Sequence, residues 1–89
     1  MPPRNVSVEG DLTILTAADH KQRLLSALHG VGNVRLDLSR VAELDTAGLQ
    51  VLLLVQREAA AREIAVEICN PSPAVTEVLA LAHLGEQEV

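Results

Sequence analysis

A chain of 89 residues has room for one core, because two cores of half that length would each bury too little apolar surface, so residues 1–89 are expected to form a single domain. Hydrophobic residues make up 48% and charged residues 21%, and the formal net charge is -5 with no basic cluster, which argues for a packed chain and against nucleic acid as a partner. The absence of Phe, Tyr and Trp removes the rings on which bases and sugars stack, so a binding surface must use aliphatic side chains, Arg and backbone groups. No apolar run approaches the roughly 18 residues of a membrane span, and MPPRNVSVEG lacks the apolar stretch of a secretory signal. A cytoplasmic protein without membrane insertion is expected. The single cysteine, Cys69, excludes an internal disulfide and reads as a small packed side chain within IAVEIC.

In chain order, NVSVEG and DLTILT alternate Val6 and Val8, then Leu12 and Ile14, around Gly10-Asp11, and predict a hairpin. From Thr16 to about His29 the spacing becomes helical: Ala17, Leu24, Leu25 and Leu28 share a face, Asp19 and Arg23 form an i,i+4 pair, Thr16 is the natural N-cap and Gly30 ends the segment. NVRLDLS, residues 33–39, alternates as a strand. A second helix is expected from Thr46 to about Arg62, then a strand in IAVEIC. A third helix begins at about Pro73 and has Gly85 just past its end, leaving EQEV as a short strand or a tail. The order β-β-α-β-α-β-α implies an α/β fold with a mixed sheet.

On the second helix, Leu49, Leu52, Val55, Ala59 and Ala60 fall on one arc and Gln50, Arg57, Glu58 and Arg62 on the other. Val51 and Leu54 fall among the polar set, which suggests an apolar strip turned away from the core; Gln56, inside the apolar arc, does not fit the pattern.

Several chemistries lack their residues. His20, His29 and His83 have none of the spacings that gather metal ligands; His20 and His29 read as surface residues of the first helix, and His83 as a residue near a helix C-terminus, where the dipole favours its protonated form. There is no nucleophile elbow, no phosphate-binding glycine loop and no evident carboxylate pair, so neither an enzyme nor a cofactor site is expected.

What remains is the junction Asp45-Thr46-Ala47-Gly48, acidic, hydroxylated and small, between an apolar strand and an apolar helix. LDLSRVAELDTAGLQVLLL, followed by PSPAVTEVLALAHL, resembles the STAS domain of bacterial anti-sigma factor antagonists: a strand ending in Asp37-Leu38-Ser39, a spacer, Asp45-Thr46-Ala47-Gly48-Leu49, and later Ser72-Pro73-Ala74-Val75. The resemblance covers nearly the whole chain. It implies a single-domain STAS-like fold, in which the mixed sheet, an initial hairpin followed by β-α crossovers, packs with three or more helices. It also implies a phosphoacceptor at Thr46, modified by an anti-sigma factor that is also a serine/threonine kinase and restored by a phosphatase, so that binding switches transcription through a sigma factor. Asp45, Thr46, Ala47, Gly48, Gln50, Val51 and Leu54 would form the partner surface. The chain departs from the pattern in carrying Thr where kinase substrates usually carry Ser. STAS proteins with Thr there also resemble the small accessory subunit of a phospholipid-transport ABC ATPase, and chemotaxis-associated STAS regulators.

The residues themselves allow plainer roles. A Thr46 hydroxyl capping its helix would contribute roughly 0.5 to 2 kcal/mol and need no further function. Gly48 would admit either another chain's backbone or close packing of its own helix on the sheet.

Overall fold

Alternating apolar residues in three segments build one parallel sheet, and the helices between them supply the crossovers. The computed structural model describes residues 3–30 and 32–87, with side chains as far as Leu81. Its elements are β1 (Arg4–Leu12), α1 (Ala17–Ser26), β2 (Asn33–Leu44), α2 (Thr46–Ala61), β3 (Ala65–Cys69) and α3 (Pro73–Gln87). The strand order is β1-β2-β3, with β2 parallel to both neighbours.

The expected hairpin is not formed. Gly10 takes a positive φ of 81° inside β1, and the β1–β2 register slips between Ser7 and Glu9 and again between Gly10 and Asp11. At each slip β2 advances one residue further than β1, so the irregularity is a bulge in a parallel pair rather than a reversal of the chain. The turn comes later, at Thr13–Thr16: the Thr16 amide donates to the Thr13 carbonyl at 3.0 Å, and Thr16 Oγ1 accepts from the Thr13 amide at 3.1 Å and donates to the Asp11 carbonyl at 2.8 Å. With its hydroxyl spent on that turn, Thr16 stands at the N-cap position of α1 without a side-chain capping bond.

The bulge also explains why β2 outruns the expected 33–39. Val34, Leu36 and Leu38 are buried in strict alternation, but the next buried residue is Val41, three positions on. The extra residue reverses the phase, and the strand continues to Leu44 with Asp37 Oδ1 accepting from the Ser39 amide at 2.9 Å. That bond, with its partners, holds the Asp37 carboxyl below its usual range.

The core lies on one face of the sheet and is wholly aliphatic. Val8, Leu12, Leu36, Leu38 and Val41 meet Leu24 of α1, Val51, Leu52 and Val55 of α2 and Val75 of α3. Leu28, Val34, Ala59 and Ile64 form a second cluster. Burying each Leu or Val is worth about 1.5–3 kcal/mol, and these terms carry the fold in the absence of any aromatic ring. The opposite phase of the strands, Asn5, Ser7, Glu9, Arg35 and Glu67, is polar and exposed, with pairs Arg40–Glu9 at 3.3 Å and Arg35–Glu67 at 3.7 Å laid across it.

Other expectations are adjusted in detail. Among the described residues Arg23 makes no ion pair with Asp19; it donates to the Ser7 carbonyl on β1. α1 ends at Ser26, and the chain turns through Gly30 at a φ of 70°. α3 starts at Pro73 as expected, with Ser72 Oγ accepting from the Val75 amide at 3.3 Å, but runs through Gly85 to Gln87. One glycine costs a helix about 1 kcal/mol and does not by itself end it. Residues 88 and 89, and the side chain of His83, lie outside the described residues.

Candidate functional site

In a parallel sheet the C-terminal ends of the strands lie together, and here β1 ends at Leu12 beside the end of β2 at Leu44. Such an edge is where ligands and partners of open α/β sheets commonly bind. The chain leaves β2 through Asp45, extended at φ -111° and ψ -174°, and enters α2 at Thr46.

Asp45 organises this junction. Its Oδ1 accepts from the Gly48 amide at 3.0 Å, the bond of an N-cap to the third helical residue, and its Oδ2 accepts from the Ile14 amide at 3.0 Å. Its own amide faces the Leu12 carbonyl at 3.4 Å. The Gly48 amide first, and the Ile14 amide next, hold the Asp45 carboxyl below the usual carboxylate range, so it is ionised at neutral pH.

The capping role expected of Thr46 therefore belongs to Asp45. Thr46 is the first residue of α2 and is exposed, and among the described residues its hydroxyl has no hydrogen-bond partner. Gly48 is buried against Leu12: a Cβ there would overlap the Leu12 carbonyl oxygen and crowd Leu44. It is a packing residue of this chain, covered by β1 and the end of β2. Val51 belongs mainly to the core, at 6% exposed, and reaches the surface only along the wall of the groove between α1 and α2. The buried face of α2 is Gly48, Val51, Leu52, Val55 and Ala59, a spacing of i, i+3, i+4, i+7 and i+11 that leaves Gln56 outside it.

Two depressions lie beside the start of α2, one reaching Asp45 and the other Ala47. On one side a groove of about 360 Å³ runs between α1 and α2, with Ile14, Ala17, Ala47, Gln50 and Leu54 among its walls. On the other, a depression of about 340 Å³ between the end of β2 and α3 carries Glu43, Asp45 and Glu77. Of the expected partner residues, Asp45 lines the second depression and Ala47, Gln50, Val51 and Leu54 the first, while exposed Thr46 stands between Asp45 and Ala47 at the start of α2. Two further residues belong beside them: Ile14 is 74% and Leu15 92% exposed. Their signal was in the sequence, since adjacent apolar residues in DLTILT cannot both face one core from a strand.

A third hollow, about 270 Å³ on the polar sheet face, is lined by Arg35, Asp37, Cys69 and Asn70 among others and lies away from Thr46. There Arg35 lies near Cys69 and pairs with Glu67 at 3.7 Å, neighbours that raise its pKa, and half-buried Cys69 leans toward the Glu67 carbonyl at 3.8 Å.

Comparison with known proteins agrees with this architecture. The family model described as "Mlab, STAS domain" matches residues 3–88. No curated protein matches the sequence. Among solved structures, the chain is similar to the anti-sigma factor antagonist SpoIIAA in its unphosphorylated form, at 22% identity and a TM-score of 0.74 over 97% of this chain and 78% of that one. It is also similar to part of the crystal structure of Mglu, at 23% identity and a TM-score of 0.67 over 78% of this chain and 17% of that one. With the family match spanning almost every residue from β1 to the end of α3, the chain belongs to the STAS domain family.

Proposed function

We propose that this domain is a non-enzymatic interaction switch of the anti-sigma factor antagonist type, which binds an anti-sigma factor with kinase activity and is turned off by phosphorylation of Thr46. The observation that carries the reading is the exposed Thr46 hydroxyl, which has no partner among the described residues because Asp45 does the capping. The fold likeness to SpoIIAA supports it. In the reaction Thr46 Oγ1 forms the bond to the γ-phosphoryl group of the kinase's ATP, ADP leaves, and the hydroxyl proton passes to a base on the kinase. A phosphatase would return the free hydroxyl.

The charge arithmetic favours a block over refolding. A phosphate adds about -1.5 to -2 at the positive end of α2, where the helix dipole tolerates it. Asp45 stands next to it and opposes it, but both Asp45 oxygens are held by backbone amides and the groups that carry the fold lie underneath. The new charge therefore falls on whatever surface packs over Thr46, and binding is lost while the domain stays folded.

A second reading is favoured by the family description itself, which names Mlab. In it the domain is a constitutive accessory subunit of a phospholipid-transport ABC ATPase and Thr46 is an unmodified contact. Binding assays with each class of partner separate the two. The switch requires affinity for an anti-sigma kinase that disappears after incubation with ATP and persists with Thr46→Ala. The subunit requires affinity for the transporter ATPase that ATP treatment leaves alone.

A further inference from the structure

An N-cap needs one oxygen, and Ser, Asn and Asp serve about equally well there. Asp45 supplies two, and spends them on separate segments: Oδ1 on the Gly48 amide of α2 and Oδ2 on the Ile14 amide, 31 residues earlier, in the turn after β1. The second bond has no part in capping. Its effect is on the Ile14–Leu15 tip, whose side chains are 74% and 92% exposed and so gain little from packing. The tip is held instead by polar bonds, the Thr16 hydroxyl network on its far side and Asp45 on its near side.

We infer that Asp45 is a positioning residue, which ties the Ile14–Leu15 tip to the start of α2 so that the apolar tip and Thr46 meet the partner as one surface. The clasp stands on the geometry alone; that its product is a partner surface rests on the switch reading above. The occupant is then the anti-sigma kinase, bringing an apolar group to the tip and a cationic group to the side that carries Glu43 and Glu77.

The variant that isolates the clasp is Asp45→Ser, which can still cap α2 with its single oxygen but cannot also reach Ile14. Asp45→Asn is the companion, since its amide nitrogen cannot accept from the Ile14 N–H when its oxygen caps α2. Backbone amide exchange and order parameters are measured by NMR on the whole chain. The inference requires that Ile14 exchange about tenfold faster in both variants and that the order parameter of the tip fall toward the flexible range below about 0.6, with Gly48 and the core amides unchanged. Unchanged exchange and order at Ile14 overturn the clasp. Affinity for the anti-sigma kinase is then measured with Asp45→Ser and with Leu15→Asp: a loss of about tenfold or more in both supports the shared surface, and unchanged affinity in either overturns it. If the unmodified wild type does not bind the kinase, the switch reading fails, while the amide measurement still decides the clasp.

Discussion

Gly48 lies directly on the carbonyl of Leu12, leaving no room for a side chain between the first turn of α2 and the end of β1. Alanine would normally help a helix interior by about 0.5–1 kcal/mol over glycine. Here the added methyl meets backbone, which cannot swing aside as a flexible side chain would, so overpacking outweighs the propensity gain. Gly48→Ala is expected to destabilise by about 1–3 kcal/mol net, read as a lower urea midpoint with an unchanged slope.

The division of labour between Asp45 and Thr46 gives a contrast between neighbours. Thr46→Ala removes an exposed hydroxyl that has no partner among the described residues and should change stability by no more than about 0.5 kcal/mol. Asp45→Ala removes the cap of α2 and the anchor of Ile14 together, and should lower Tm by clearly more. Equal melting curves for wild type and Asp45→Ala would contradict the assignment of the cap.

On α2 the burial difference between Val51 and Leu54 separates folding from binding. Val51→Asp places a carboxylate in the aliphatic core and should cost about 3 kcal/mol or more. Leu54 is half-buried on the groove wall, so Leu54→Asp should cost about 1 kcal/mol and leave the far-ultraviolet spectrum intact while weakening the partner complex much more. Parallel loss of stability and binding in Leu54→Asp would remove the groove from the interface.

The acid side of the stability profile follows from Asp45. Its folded pKa is lowered, so the ionised form is favoured in the folded state; that contribution is complete above the unfolded carboxyl value near 3.8 and is lost as pH falls through the lower folded value. Asp37 is shifted in the same direction by the Ser39 amide and adds to the same window. Urea titrations below pH 5 should show the advantage of wild type over Asp45→Asn shrinking as pH falls. An advantage independent of pH would mean that ionisation of Asp45 contributes nothing.

The α/β class, the three helices, α2 beginning at Thr46 and α3 at Pro73 were legible because long apolar periodicities and Pro-led starts are local signals. The hairpin was misread because Gly10-Asp11 has turn chemistry, whereas pairing of β1 beside β2 is decided by residues more than twenty positions away. β2 was cut short for a related reason: the bulge after Leu38 reverses the alternation, and a period-2 reading stops where the phase changes. On α2 the buried arc is centred nearer Gly48 than Leu49. Taking Gly48 as a residue facing the sheet would have drawn Val51 into the core and left Gln56 outside it. The double use of Asp45 depends on a tertiary contact with Ile14 and has no signature in sequence.

The most direct test of the central claim is phosphosite mapping by intact mass and fragmentation after incubation of the whole chain with ATP and an anti-sigma kinase encoded beside it. One phosphate on Thr46, absent from Thr46→Ala, is the expected result. Ser72 is a poor competitor because it is 5% exposed and its hydroxyl caps α3, whereas Ser39 is exposed on β2. Phosphate on Ser39 with Thr46 unmodified, or a kinase that binds the domain tightly and transfers no phosphate to it, would contradict the switch.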